Sequence, residues 1–414
     1  MVNRSSPPAQ VCAEARRDLA PVFARIDGLV KKNLTKVLDA LRAERIGAHH
    51  FAGVTGYGHG DMGRDALDRV FGRVFGCDAA VRIQFVSGTH AIACALFGVL
   101  RPGDELLSVV GAPYDTLEEV IGLRGAGQGS LREFGISYRQ LELTATGEPD
   151  WDAMEDAVHS RTRMVLIQRS CGYSWRPSVD IAQIARIIEI VKRQNPDTVC
   201  FVDNCYGEFC EELEPTQVGA DLIAGSLIKN PGGTIAPAGG YLAGNETWVE
   251  SACARLTAPG IGSEGGSSLD QNRLLFQGLF FAPQVVGEAL KGAHLASRVF
   301  EQLGYPVQPA PFTPRTDVIQ AIRLGNAEKL IAFCRAIQQH SPIGSYLEPV
   351  PDTVPGYADR VVMAGGTFIE GSTLELSADG PLREPYVVFL QGGTHLAHVE
   401  IALEAALTSI ESLL

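Results

Sequence analysis

The sequence has no Cys-x-x-Cys pair, no histidines grouped at zinc-finger spacing and no basic run longer than a pair such as Lys31-Lys32. The first two absences exclude the common structural zinc modules. The third, with 35 basic against 48 acidic residues and a net charge of −13, argues against nucleic acid as a partner, because an acidic chain repels a phosphate backbone. Carboxylates are scattered and form no cluster of the kind a calcium or aluminium ion requires, so no metal is expected. Apolar runs stop at about ten residues, as in Ala91 to Leu100, well short of a bilayer-spanning helix. The N-terminal stretch lacks the apolar core of a secretion signal. The nine cysteines are odd in number and follow no disulfide framework, so they read as small buried hydrophobes. A soluble, cytoplasmic protein is expected, with no membrane partner.

What is present is ordinary globular composition, 45% hydrophobic and 20% charged, over 414 residues. That length suits two or three domain-sized units. Glycine is abundant, at 45 residues, and its positions carry much of the argument.

Helical periodicity runs through residues 10–46, with Pro21 expected to split it into two helices. A glycine-studded loop follows at 51–64. Strands and helices then alternate: a helix over Asp65–Phe75, a strand over Val81–Val86, helices at Thr89–Leu100 and Asp115–Leu123, and an amphipathic helix over Val179–Arg193. Further strands are expected at Glu105–Val110, Met164–Gln168, Val199–Val202 and Leu222–Gly225. Short continuous apolar strands belong in a sheet covered on both faces, so the pattern predicts an α/β fold with a mostly parallel sheet. Residues 230–245 hold five glycines and no charge, which fits a buried, backbone-rich hairpin or loop close to a ligand. Residues 283–303 read as a long helix leading into an α+β unit with strands at Asp317–Leu324, Arg360–Met363, Thr373–Ser377 and Tyr386–Gln391. Helices at Ala327–Gln339 and His395–Leu414 complete it. The expected division is 1–55 as an N-terminal helical arm, 56–285 as a large domain and 286–414 as a small C-terminal domain.

Three pieces carry chemistry. Ser87-Gly88-Thr89-His90 follows a strand and opens a helix, so its free N–H groups suit a phosphate, although a plain Ser N-cap has the same pattern. Asp203, at the carboxyl end of a buried strand, points into the crevice where α/β sheets bind ligands, or caps the following turn. Lys229 lies between Leu227-Ile228 and the glycine segment. Desolvation there lowers the pKa of a lysine and makes it a competent Schiff-base nucleophile; the alternative is a snorkelling surface lysine. Together they describe a phosphate cradle, a partner for a ring nitrogen and a Schiff-base lysine, the parts of a pyridoxal 5'-phosphate site.

On these residues the chain resembles the fold-type-I pyridoxal-phosphate enzymes of cysteine and methionine metabolism. Within them it resembles the methionine gamma-lyase family, in its aluminium-resistance branch. The carrying segments are Gly56-Tyr57-Gly58 through Arg64-Asp65, Ser87 to His90, Val202-Asp203-Asn204-Cys205-Tyr206-Gly207-Glu208-Phe209, Gly225-Ser226-Leu227-Ile228-Lys229-Asn230-Pro231-Gly232-Gly233 and Arg383-Glu384-Pro385-Tyr386. The resemblance implies a seven-stranded, mostly parallel sheet with helices on both sides and a smaller α+β domain. It implies that Ser87, Gly88, Thr89 and Ser226 hold the phosphate, Tyr114 stacks on the ring, Asp203 pairs with its nitrogen and Lys229 forms the Schiff base and shuttles protons. Tyr57 and Arg64 are expected to reach a neighbouring subunit's phosphate, in a homo-oligomer built as a dimer of dimers, with Tyr57 also near the substrate. Arg383 is the candidate for the substrate carboxylate, with Arg360 its competitor, and His90 a candidate substrate contact. Gly365-Gly366-Thr367 and Gly392-Gly393-Thr394 are expected to shape the mouth. The implied reaction is elimination of a γ or β leaving group, such as a thiolate or halide, from an amino acid, with Tyr114 as the acid. The alternatives are γ-replacement, transamination or racemisation with the same cofactor, or a metal-stress protein with little catalysis. The chain departs from better-known gamma-lyases before the lysine, where Ser226-Leu227-Ile228 stands in place of Ser-x-Thr and removes one hydroxyl.

Overall fold

The structure, a computed structural model, describes residues 7–77, 79–354, 357 and 359–413. Two helices open the chain, α1 (Pro8–Asp18) and α2 (Ala20–Ala43), which meet at Leu19. Pro21 is the second residue of α2, where its missing N–H has no intrahelical partner to lose. The loop at 51–64 leads into α3 (Met62–Phe75), which Asp61 caps by accepting from the Arg64 N–H at 2.9 Å.

The large sheet contains β1 (Ala79–Phe85), β2 (Glu105–Ser108), β3 (Ser137–Gln140), β4 (Thr162–Gln168), β5 (Val199–Asp203), β6 (Leu222–Ser226) and β7 (Gly240–Gly244), in the order β1-β7-β6-β5-β4-β2-β3. Strands β2 to β6 run parallel, and β7 is antiparallel to both of its neighbours. Successive strand residues feed two cores. Leu106, Leu166, Phe201, Ala224 and Leu242 pack beneath α4 (Gly88–Val99), α5 (Asp115–Ile121) and α8 (Glu246–Leu256). Leu107, Val165, Val202, Ile223 and Ala243 pack against α3, α7 (Ile181–Gln194) and α9 (Asn272–Gln302). A sheet buried on both faces accounts for the unbroken apolar character of these strands. The helix α6 (Trp151–Ala157) packs beside α7.

Beyond α9, the second sheet has β8 (Val307–Gln308), β9 (Ile319–Arg323), β10 (Val361–Ala364), β11 (Ser377–Pro381) and β12 (Val387–Gln391), all antiparallel in the order β10-β11-β12-β9-β8. Between β9 and β10 comes α10 (Ala327–Gln339), and α11 (Leu396–Glu411) ends the chain; both pack on one face of this sheet or against α9. On the opposite face Ile319, Ala321, Val387 and Phe389 pack with Cys171, Tyr173, Trp175 and Tyr206 of the large sheet's loops. Among the described residues no helix is long and apolar enough to cross a membrane.

Three elements differ from the sequence reading. The long helix begins at Asn272 rather than 283, so the division expected at 286 falls inside it, and Pro283 is an internal residue. The last strand before the Arg383 turn is Ser377–Pro381, not Thr373–Ser377. A Cβ on Gly380 would meet the Val387 carbonyl at 2.4 Å, so close strand packing selects this small-residue segment despite its turn-like composition. The glycine segment supplies the strand β7, whose Gly240 passes so near Ser87 that a Cβ would lie 2.4 Å from its carbonyl oxygen.

Candidate active site

The ends of β4, β5 and β6 and the start of α4 converge on one cavity of about 1070 Å³ between the large sheet and the face of the small one. Lys229 follows β6 and lies in it, with its ammonium 4.1 Å from the Tyr206 ring centroid. The glycines after it fix its position. A Cβ on Gly233 would meet the Gly278 carbonyl at 2.2 Å, and one on Gly232 would meet the Leu227 carbonyl at 1.7 Å, so this backbone packs directly on α9 and on itself. Asn230 donates to the carbonyls of Tyr206 and Glu208, each at 2.9 Å, and so ties the lysine's turn to the segment that carries Asp203.

Tyr206 holds φ +72°, a strained conformation for a non-glycine that costs on the order of 1–3 kcal/mol. The strain presents its ring to Lys229. Asp203, at the end of β5, accepts from the Cys205 N–H at 3.1 Å. Burial pushes its carboxyl up, and the nearby Lys229 charge pulls the other way. For Lys229 burial favours the neutral amine, but the acidic groups of Cys205, Tyr206, Asp203 and Tyr114 outweigh it, and the net pKa is raised. This corrects the expectation of a lowered value. Apolar neighbours in sequence suggested desolvation alone, whereas the walls that face the amine are acidic.

The α4 N-terminus forms the other side. Ser87 is its N-cap, accepting from the His90 N–H at 3.2 Å. Gly88 approaches Ser226 so closely that a Cβ would lie 3.0 Å from the serine Cβ, so the two backbones and the Ser226 hydroxyl share a small concavity. Ser87, Gly88, Thr89 and Ser226 all line the cavity. Tyr114 stands opposite, with its hydroxyl 3.2 Å from Thr89 Oγ1 and its N–H donating to Gln168 Oε1 at 2.7 Å. Burial, then the Asp203 charge, raises its phenol. A helix N-terminus beside a glycine cradle, a buried carboxyl and a half-buried lysine fit pyridoxal phosphate in donor chemistry.

Arg383 lines the cavity half-exposed, paired with Asp359 at 2.8 Å, while Arg360 lies outside the lining. Gly365, Gly366 and Thr367 line the cavity as expected; Gly392, Gly393 and Thr394 do not. A Cβ on Gly392 would meet the Glu375 carbonyl at 2.3 Å, which makes it a packing glycine.

The structure does not bring Arg64, Tyr57 or His90 to this chain's own cavity. Arg64 is 2% exposed and its guanidinium donates to the carbonyls of Gly58 and Gly266 at 2.7 and 2.8 Å and to Asp65 at 3.0 Å. It staples the 51–64 loop to the segment before α9. Tyr57 is 83% exposed on the same loop. The His90 ring accepts from the Val86 N–H at 3.0 Å and packs edge-on against Phe85, closing the strand end instead of facing the cavity.

Sequence reasoning missed Gln168, Arg176 and Asp379, which line the cavity, and a buried network behind Asp203. Arg176 turns its fork to the carbonyls of Gln168, Ser170 and Pro177. In the network, fully buried Arg169 donates to Asn204 at 2.8 Å and Glu211 at 2.6 Å, and Tyr241 donates to Glu208 at 2.8 Å. The tight fit of Gly207 on Arg169 and of Gly225 on Glu208, where a Cβ would lie 2.4 Å from each, was the available signal. Burial pushes the Glu208 carboxyl up to about 8 from 4.5. The folded chain therefore holds a proton that the unfolded chain has released, and stability falls as pH rises through that window, by up to about 1.4 kcal/mol per pH unit. Glu208→Gln, which mimics the protonated acid, is expected to flatten this decline. Urea unfolding of both proteins at about pH 5 and about pH 8 checks it.

The family model for methionine gamma-lyase matches residues 9–411. The protein YnbB of Bacillus subtilis is 50% identical over 399 residues, covering 96% of this chain and 95% of its own. The solved structure of a carbon–sulfur lyase involved in aluminium resistance from Clostridium novyi is 48% identical, with a TM-score of 0.93, and the match covers 97% of this chain and 95% of that one. A Bacillus cereus protein of known structure is 51% identical at the same TM-score of 0.93, covering 96% and 98% of the two chains. With the fold, the lysine, the carboxylate and the glycine cradle in place, the chain belongs to the methionine gamma-lyase family of fold-type-I, pyridoxal-phosphate-dependent enzymes.

Proposed function

We propose that this protein is a carbon–sulfur lyase that eliminates a thiolate from the γ or β carbon of an amino acid. The observation that carries this reading is the placement of buried Asp203 and half-buried Lys229 at and just past adjacent strand ends, in one cavity with the Gly88–Ser226 cradle. Pyridoxal phosphate, when bound, supplies an electron sink for charge generated at the substrate Cα. The amides of Gly88 and Thr89 and the hydroxyls of Ser87 and Ser226 bind the phosphate. The Asp203 carboxylate holds the ring nitrogen protonated. The Lys229 amine would hold the cofactor and, once the substrate amine has displaced it there, the freed Lys229 amine would take the proton from the substrate Cα and exchange protons at Cβ and Cγ. Tyr114 covers the ring and, with its phenol kept protonated by burial and the Asp203 charge, is placed to give a proton to the leaving sulfur. Arg383 exchanges Asp359 for the substrate α-carboxylate, which a guanidinium fork binds with two hydrogen bonds. Tyr57, exposed on its loop, is available to a second subunit, consistent with a homo-oligomer.

The test is product analysis of the cofactor-loaded protein with a panel of thioether amino acids. Ammonia, a 2-oxo acid and a thiol released in equal amounts are expected. An oxo acid without thiol would indicate transamination, and recovery of the D-isomer racemisation; either contradicts the reading.

A further inference from the structure

One end of the same cavity is built from polar groups that the protein leaves unpartnered. Ser372, Thr373, Ser377 and Asp379 line it at 2%, 8%, 6% and 6% exposure. Ser372 Oγ, Thr373 Oγ1, Ser377 Oγ and Asp379 Oδ1 have no hydrogen-bond partner. Buried polar atoms are nearly always satisfied in native proteins, and four orphans around one cavity point to a missing partner. Their placement follows from β11. Its alternation turns Ser377 and Asp379 to the cavity, while Ala378 packs in the core and a Cβ on Gly380 would meet Leu330 of α10 at 3.0 Å.

Asp379 is the titratable member of this group. Its Oδ2 accepts from Gln391 Nε2 at 3.0 Å and the Tyr173 phenol is its other partner; among the described residues no lysine, arginine or histidine pairs with it. Burial pushes this carboxyl up to about 7, and a cation brought in from outside the chain would favour its charged form. An ammonium offers three donors, which suits a carboxyl and hydroxyls that line one cavity. The subsite shares its cavity with Lys229 and with Tyr206, the ring against which Lys229 rests.

We propose that Asp379, with Ser372, Thr373 and Ser377, forms the subsite for the far end of the substrate side chain and selects substrates that carry an ammonium there. This rests on the lyase reading of the same cavity. It is tested by titrating the cofactor-loaded full chain with S-(2-aminoethyl)-L-cysteine and with its uncharged isostere S-propyl-L-cysteine, following the cofactor's visible absorbance as substrate replaces Lys229. The aminoethyl compound is expected to bind at least about tenfold tighter, the scale of one charge-assisted hydrogen bond. Asp379→Asn is expected to bring the ratio of the two Kd values to about one. Ser377→Ala, a milder change that also serves if the asparagine variant does not fold, is expected to reduce the ratio by about threefold. Equal affinities in the wild type, or a tenfold preference that survives in a folded Asp379→Asn protein, would overturn the subsite alone. No absorbance change with either compound would overturn the lyase reading and the subsite with it.

Discussion

Lys229→Ala is expected to lose at least about 1000-fold in turnover and to release its cofactor on dialysis. No other lysine lines the cavity, so no second amine stands in for it among the described residues. A general base of this kind contributes about 10²–10⁴-fold, and loss of the covalent hold adds to that. The variant is expected to fold. The turn that carries residue 229 is fixed by Asn230 and by glycine backbone packed on α9, and neither needs the lysine side chain. Removing the ammonium also leaves the buried Asp203 without the cation that favours its charged form, so that carboxyl is expected to rise further. Turnover on a thioether substrate, with absorbance after dialysis, checks both parts. Activity within tenfold of the wild type would remove Lys229 from the mechanism.

Asp203→Asn is expected to cost about 100-fold or more in kcat, on the scale of about 2.7–4 kcal/mol measured when a preorganised electrostatic contact is removed from an active site. The asparagine retains an oxygen for the Cys205 N–H, so the turn survives while the charge is lost. A structural role for Asp203 predicts a different outcome, a fall in stability with kcat unchanged. A second readout separates the two. The cofactor's visible band is expected to shift in the variant, where the ring nitrogen loses its charged partner, and to stay unchanged if Asp203 only holds the turn.

The strands that carry the site were legible because each is a short apolar run covered on both faces, and Lys229 and Asp203 stood out as charges at the ends of such runs. What escaped the sequence is set by partners distant in the chain. Gly240 and Gly244 have little strand preference of their own, and β7 exists because β1 and β6 pair with it from either side. Asp379 was hidden in Ser-Ala-Asp-Gly-Pro, a string that resembles a turn until the slot between β10 and β12 makes it a strand. The acceptors that hold Arg64 within the chain, the carbonyls of Gly58 and Gly266, carry no signal in sequence. The direction of the Lys229 shift was misjudged for the same reason. Its near neighbours are apolar, but the groups that face its ammonium come from two other segments, at Tyr114 and at Asp203 to Tyr206.

The central claim is that Lys229 holds pyridoxal phosphate. The direct measurement is borohydride reduction of the cofactor-loaded protein, which makes the lysine–cofactor bond permanent, followed by peptide mass analysis. The account predicts the added pyridoxyl phosphate mass on the peptide containing Ser226-Leu227-Ile228-Lys229-Asn230. The mass on a different lysine, or on none, would contradict it.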